Sequence, residues 1–301
     1  MKIIESIEEM REYSQHCKRD GKTISYVSSE SYLHDGHMSL VKIAKENADI
    51  TVLSAGHCLS YFYDINHPQR YKKYIIDYRE FFLKQDIMIC KENNVDVFFQ
   101  PSMFDLYSNL TNKITLSSPI IGRFLEKRGW NPNLANGYGD IISLYAFQTI
   151  KIINILSPDV YVIGEKDEYE TNCYKKTLIH DLNYPIKLIV APTIRDSNGL
   201  ALSSRNVNLT EEERINASSI YRTLQEVSAW DVYPPIQTIK TYIEERIKSF
   251  GGIVNYIDIC CAETLDELIS IDRKAVILVS VGFGDIDELT ELTDNIVIKP
   301  K

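Results

Sequence analysis

Two histidines, His34 and His37, bracket an Asp-Gly pair in the run V-S-S-E-S-Y-L-H-D-G-H-M-S-L-V at residues 27–41. An apolar-rich run, Ile24 to Val27, comes before them, and a helix-like run, Met38 to Glu46, comes after. Three chemistries fit imidazoles at such a junction. A single ring could cap or pack at a helix start. Two rings three residues apart could share a helix face and bind a metal, although no third ligand lies nearby in the chain. Or both rings could point from the helix N-terminus at a phosphate. Gly36 would then let the ligand approach the backbone, and the helix dipole would favour the anion. The imidazoles would donate hydrogen bonds to charge that grows during nucleotidyl transfer.

Two other stretches hold groups suited to the same anion. I-G-E-K-D at 163–167 places Lys166 and Asp167 directly after an apolar run, and I-R-D-S-N-G-L-A-L-S-S-R-N at 194–206 places Ser203, Ser204 and Arg205 in a turn-rich segment. Singly these residues are ordinary: a solvated turn, a pair of turn serines, a surface arginine. Their value depends on whether the fold gathers them.

The elements that must position them read as alternating helices and strands. Periodicity predicts helices over 5–18, 37–47, 75–93, 138–156 and 166–181, with strands over 23–28, 49–55, 95–100, 158–163 and 185–191. Strands separated by helices of this length predict βαβ units and a parallel sheet. Ligands on such sheets collect at the carboxyl ends of the strands, where H-D-G-H and I-G-E-K-D both fall. After the turn-rich 192–208 the composition changes. Amphipathic helices are predicted over 210–227 and 236–250, and strands over 254–261 and 275–281. The expected architecture is an α/β, Rossmann-like parallel-sheet domain at 1–190 and a smaller α+β domain at 191–301. Residues 127–139, K-R-G-W-N-P-N-L-A-N-G-Y-G, form the most loop-like stretch.

Bulk properties bound the class. A chain of 301 residues is long enough for two domains. The formal charge, 33 − 42 = −9, argues against a global nucleic-acid-binding field, while still allowing an anion to be held by a few placed cations and amides. No apolar run approaches membrane-spanning length, and the N-terminal M-K-I-I-E-S-I-E-E-M lacks a signal-peptide core. The 6 cysteines are scattered without a C-x-x-C pair, which predicts reduced, mostly buried thiols and a cytoplasmic location.

Strand–x-L-H-D-G-H–helix resembles the signature of the HxGH nucleotidylyl transferases and their ligase relatives. In detail the chain is similar to the pantothenate synthetase (pantoate–β-alanine ligase) family. G-E-K-D at 164–167 resembles that family's second motif, and I-R-D-S-N-G-L-A-L-S-S-R-N at 194–206 its third; V-D-V-F-F-Q-P-S (95–102) and S-P-D-V (157–160) also fit. The resemblance implies a two-step reaction on small-molecule substrates. A carboxylic acid is adenylated by ATP with loss of pyrophosphate, and an amine then displaces AMP to form an amide. It implies that His34 and His37 stabilise the α-phosphate transition state, and that Lys166 holds phosphate oxygens as a compact point charge. Ser203, Ser204 and Arg205 would grip the β- and γ-phosphates from the loop of a C-terminal lid. Gly164 and Asp167 would meet the ribose, and Ile194 would offer main-chain contacts to adenine. Asp86 stands where the family has an acidic residue near Mg²⁺. A homodimer is implied as well.

The acid-binding side departs from the family. In place of P-T-M-G stands Ser28-Ser29-Glu30-Ser31, the expected glutamine and asparagine are Tyr61 and Cys58, and aromatic-Gln-Gln after G-E-K-D is Glu168-Tyr169-Glu170. Replacing Gln by Glu exchanges a donor-acceptor for a charged acceptor. Carboxylates at Glu30 and Glu170 would repel an anionic acid. With Tyr61 and Tyr169 as an aromatic wall, they would suit an acid that also bears a cation, such as an amino acid. The expectation is therefore an ATP-dependent acid–amine ligase with an altered acid substrate. The alternatives are a genuine pantoate–β-alanine ligase, a nucleotidyl transferase that stops at the adenylate, and a non-catalytic nucleotide-binding relative.

Overall fold

The central apolar runs, 24–28, 50–54, 97–99 and 160–164, become strands buried on both faces, while the edge run 187–191 is partly exposed. They carry β-branched and aromatic side chains between turn residues, as parallel strands covered by helices do. In a computed structural model, residues 1–29, 32–55, 81–101, 103–106, 141–168, 178–285 and 289–300 are described. The strands are β1 (Lys2–Ile4), β2 (Ile24–Ser28), β3 (Ile50–Ser54), β4 (Val97–Phe99), β5 (Val160–Gly164) and β6 (Lys187–Ala191). They form one sheet in the order β1-β4-β3-β2-β5-β6, with every pairing parallel.

Helices cover both faces. On one side α1 (Ile7–Arg19) and the helix Ile141–Leu156 pack Met10, Ile152 and Leu156 onto Ile4, Tyr26, Val52 and Phe99. On the other, α2 (Asp35–Asn47) and α3 (Leu83–Glu92) pack Leu40, Val41, Ala44 and Cys90 onto Val27, Leu53, Phe98 and Val162. Burial of each such aliphatic side chain contributes on the order of 2 kcal/mol. Helix α1 starts where Ser6 accepts the Glu9 N–H and ends among basic residues, as dipole and cap require.

Beyond Ala191, the helices Glu211–Ala217, Ser219–Ser228 and Ile236–Lys248 accompany a three-stranded antiparallel sheet, β7-β8-β9 (Ile253–Cys261, Ala275–Phe283, Thr290–Ile298). Ile220, Leu224, Ile239 and Ile243 cluster with Ile277, Val279, Val281 and Leu292 to make its core. By contacts the chain divides into Met1–Gly164 with Thr171–Ala191, and Glu165–Glu170 with Pro192–Lys301. Composition predicts one boundary at 190/191; in the structure the short α-helical segment Glu165–Glu168 groups with the C-terminal residues.

Several elements differ from expectation. The helix predicted over 210–227 is two, parted at Ser218. The Ser218 hydroxyl donates to the Ile215 carbonyl at 2.6 Å and its backbone N–H reaches the same oxygen, tightening the turn and interrupting the ladder. Strands β1 and β9 were not foreseen. Strand β9, T-E-L-T-D-N-I-V-I, has no clean alternation, and pairing with β8 along its whole length decides its conformation. The predicted 75–93 helix is described from residue 81 onward, and 166–181 only at its two ends.

Candidate active site

Strand β2 lies between β3 and β5, so the winding of the sheet reverses between β2 and β5. At such a switch point the loops leaving neighbouring strands part and open a crevice. Both motif-bearing connections leave here: β2 delivers the H-D-G-H turn, and β5, which pairs Val162 with Val27, delivers G-E-K-D.

His34 is the N-cap of α2. Its Nδ1 accepts the Gly36 N–H at 3.1 Å, and the His37 Nδ1 accepts the His34 N–H at 3.3 Å. The two rings thus form a reciprocal cap, with centroids 4.0 Å apart. A nitrogen that accepts an N–H carries no proton, so each neutral ring bears its proton on Nε2. Capping and phosphate recognition, offered as rivals by the sequence, are compatible, because the cap engages Nδ1 and not Nε2. Gly36 is engaged through its N–H, and Ser39 secures the turn by donating to the Gly36 carbonyl at 2.7 Å.

The turn is held from α3. Asp86, 1% exposed, accepts the Leu33 N–H on Oδ1 at 2.9 Å, and Leu33 itself is buried. One turn further on, the Cys90 thiol is pushed up to about 12, by burial first and by the Asp86 charge second. It therefore stays protonated and inert. The family resemblance implies a place near Mg²⁺ for Asp86; among the described residues no group of three or more His, Cys, Asp or Glu could hold a metal. Asp86→Ala would leave the Leu33 N–H buried without its acceptor and should lower unfolding free energy by about 1–3 kcal/mol in urea melts. Asp86→Asn keeps an acceptor oxygen and should retain most of that stability. A raised Mg²⁺ requirement with unchanged melts would instead favour the metal role.

Below the turn, hydroxyls line the carboxyl ends of the strands. Tyr26 meets Ser54 at 2.7 Å and Ser28 meets Tyr161 at 2.9 Å, the tyrosine rings lying 4.9 Å apart. Burial, then the neighbouring Tyr161, raises the Tyr26 hydroxyl well above the usual tyrosine range, so it remains neutral. Single-sequence reading missed this row because Ser and Tyr inside an apolar run signal nothing by themselves.

In the second unit, Lys166 directs its ammonium to Asp167 Oδ1 at 2.7 Å; its side chain is mostly covered while that of Asp167 is half exposed. Gly164 ends β5 against Ala191. The segment 194–206 is a tight hairpin. Asp196 accepts the N–H groups of Asn198 and Leu200, Arg195 bridges Ala201, and Gly199 turns the chain at φ +94°, a conformation that strains any other residue. The Ile194 carbonyl accepts the Leu202 N–H at 2.9 Å, and the Ile194 side chain is exposed. Ser203 caps the 3₁₀ turn Ser204–Asn208 by accepting the Arg205 N–H. The Arg205 guanidinium donates to the Glu291 carbonyl at 3.0 Å. Arg195, not anticipated as important, pairs with buried Asp294 through two bonds of 2.6 and 2.9 Å and lies 3.3 Å over the Tyr221 ring.

The structure thus joins His34, Gly36 and His37 in one turn, Lys166 with Asp167 in another, and Ile194, Ser203, Ser204 and Arg205 in one hairpin. The expected acid-pocket residues Glu30, Tyr61, Tyr169 and Glu170 lie outside the described residues, as does Cys58.

A six-stranded parallel sheet with a histidine-capped helix at its switch point defines the class, a doubly wound α/β protein. The family model described as pantoate-beta-alanine ligase matches residues 2–297, and the chain belongs to that family, whose members are ATP-dependent ligases. Pantothenate synthetase of Thermotoga petrophila is 30% identical over 99% of this chain and 100% of its own. That of Syntrophomonas wolfei is 31% identical over 99% and 100%. Among solved structures, pantothenate synthetase from Thermus thermophilus superposes with a TM-score of 0.78 at 24% identity, over 100% of both chains, a likeness of fold. Pantoate-beta-alanine ligase from Francisella tularensis, solved with beta-gamma ATP and beta-alanine, gives 0.70 at 27% identity over 99% of this chain and 97% of its own.

Proposed function

We propose that the chain condenses pantoate with β-alanine in two steps. The pantoate carboxylate oxygen attacks the α-phosphorus of ATP, the bond to the bridging oxygen of pyrophosphate breaks, and pantoyl adenylate forms. The β-alanine nitrogen then attacks the acyl carbon, AMP departs with the carboxylate oxygen, and the amine proton passes to solvent. The observation behind this reading is the reciprocal histidine cap. It holds both Nδ1 atoms as acceptors and so puts the proton of each ring on Nε2, a donor suited to the non-bridging oxygens on which charge accumulates during attack. Lys166 and Arg205 supply positive charge to the triphosphate, Ser203 and Ser204 supply hydroxyls, and Asp167 accepts from the ribose. Mg²⁺ arrives with ATP, because it keeps most of its waters and binds chiefly through phosphates. The protein works as a cytoplasmic homodimer. No described helix is long and apolar enough to cross a membrane.

The full-length family match favours pantoate over the altered acid expected from the sequence. A second reading, an acid bearing a cation, draws on the carboxylates Glu30 and Glu170 and on Tyr61 in place of glutamine. Pyrophosphate release with ATP·Mg²⁺, measured across a panel of acids with pantoate as comparator, decides between them. Pantoate turning over best supports the first reading. An amino acid turning over better would replace it with the second. Release of free adenylate without need of an amine would mark a transferase.

A further inference from the structure

Asp294 and Asn295 are neighbours on β9, so their side chains leave opposite faces of the sheet. Asp294, opposite Val279, lies on the helix-covered face and receives Arg195. Asn295, opposite Leu278 and 7% exposed, reaches the other way. Its Nδ2 donates to the Lys166 carbonyl at 2.8 Å and to the Glu165 carbonyl at 3.4 Å. These carbonyls belong to a four-residue helix, Glu165–Glu168, too short to be stable alone. A buried amide with two donors, facing two carbonyls of one turn, fixes that turn in position and rotation.

We infer that Asn295 is the positioning residue of Lys166, setting through the Glu165–Lys166 backbone the direction in which the ammonium points. The inference rests on the phosphate-binding role proposed for Lys166. Arg205 is tied to the same strand through the Glu291 carbonyl. Strand β9 therefore serves as a common reference for both cations assigned to the triphosphate. Lys166 belongs with the C-terminal unit although the chain reaches it directly from β5. A lysine stem has four rotatable bonds. Without a fixed root, its charge would spread over many positions and hold a transferring phosphate less well.

The test is a double-mutant cycle between Asn295→Ala and Lys166→Met, read by pyrophosphate release and by calorimetry of ATP·Mg²⁺ binding. In the Lys166 background, Asn295→Ala should raise the KM for ATP and lower kcat, together by roughly ten- to a hundredfold, with the KM for the acid unchanged. In the Lys166→Met background, the same change should have little further effect. Asn295→Leu keeps the volume and offers the carbonyls no donor, so it should behave like Asn295→Ala; it carries the cycle should the alanine variant not fold. Equal loss in both backgrounds, or no loss at all, overturns the inference. Calorimetry needs no acid, so a failure of the proposed reaction is seen separately, as absent turnover in the unmutated protein with ATP binding still following the cycle.

Discussion

Replacing His34 or His37 with alanine should slow adenylation by roughly two to three orders of magnitude, the loss that follows removal of one preorganised donor from a growing oxyanion. The geometry makes the two variants more alike than their positions suggest. Removing His34 takes away the acceptor for the Gly36 N–H, and removing His37 takes away the acceptor for the His34 N–H. Each change deletes one Nε2–H donor and removes the ring that packs 4.0 Å from its partner, centroid to centroid. The double variant should therefore be less impaired than the product of the two single effects. Single-turnover measurement of pyrophosphate release checks this, because the second half-reaction does not contribute. Glutamine at either position would retain an amide donor and should recover part of the rate. Normal rates in both alanine variants would remove the pair from the reaction.

Lys166→Met should produce a loss of about two to three orders of magnitude in kcat/KM for the first half-reaction, as cationic clamps on a transferring phosphoryl group commonly do. Methionine preserves most of the stem and its packing, so stability should change little. The charge alone is lost. In the structure that charge meets Asp167 at 2.7 Å. ATP binding would exchange this contact for one to phosphate, while Asp167 turns to the ribose. The variant should therefore lose affinity for ATP more than for AMP, since AMP makes fewer demands on the lysine. Lys166→Arg should not restore the rate, because a planar fork does not occupy the place of a compact ammonium. Retained kcat with only a raised KM would mean that Lys166 binds ATP without acting on the transition state.

Much of this protein is legible in one dimension, for a definite reason. Strands β2, β3 and β5 are short apolar runs between helices whose own periodicity is clear, and covalent spacing alone forces parallel crossovers. The motif residues follow directly from strand ends, so H-D-G-H and G-E-K-D had to emerge at one end of the sheet. Local chemistry likewise predicts a turn-rich segment over 192–208, where Asp, Asn and Gly gather, and the structure folds its 194–206 part into a tight hairpin.

Contacts distant in the chain were decided elsewhere. Asp86 serves the Leu33 N–H from 53 residues away, and Arg195 meets Asp294 from 99 away. Asn295 reaches the Lys166 carbonyl from 129 away. A buried carboxylate or amide has no periodic signature, since its partner is chosen by which donor the fold leaves unpaired and out of water. Strand β9 is the plainest case: its polar sequence predicts no element, and only the row of open hydrogen-bonding groups on β8 makes it a strand. Residue order by itself determined the parallel crossovers of β2, β3 and β5 and the motif residues proposed to meet a triphosphate. Tertiary structure decided what holds the histidine turn and to which body the lysine belongs, because burial and pairing act between segments that the chain keeps apart.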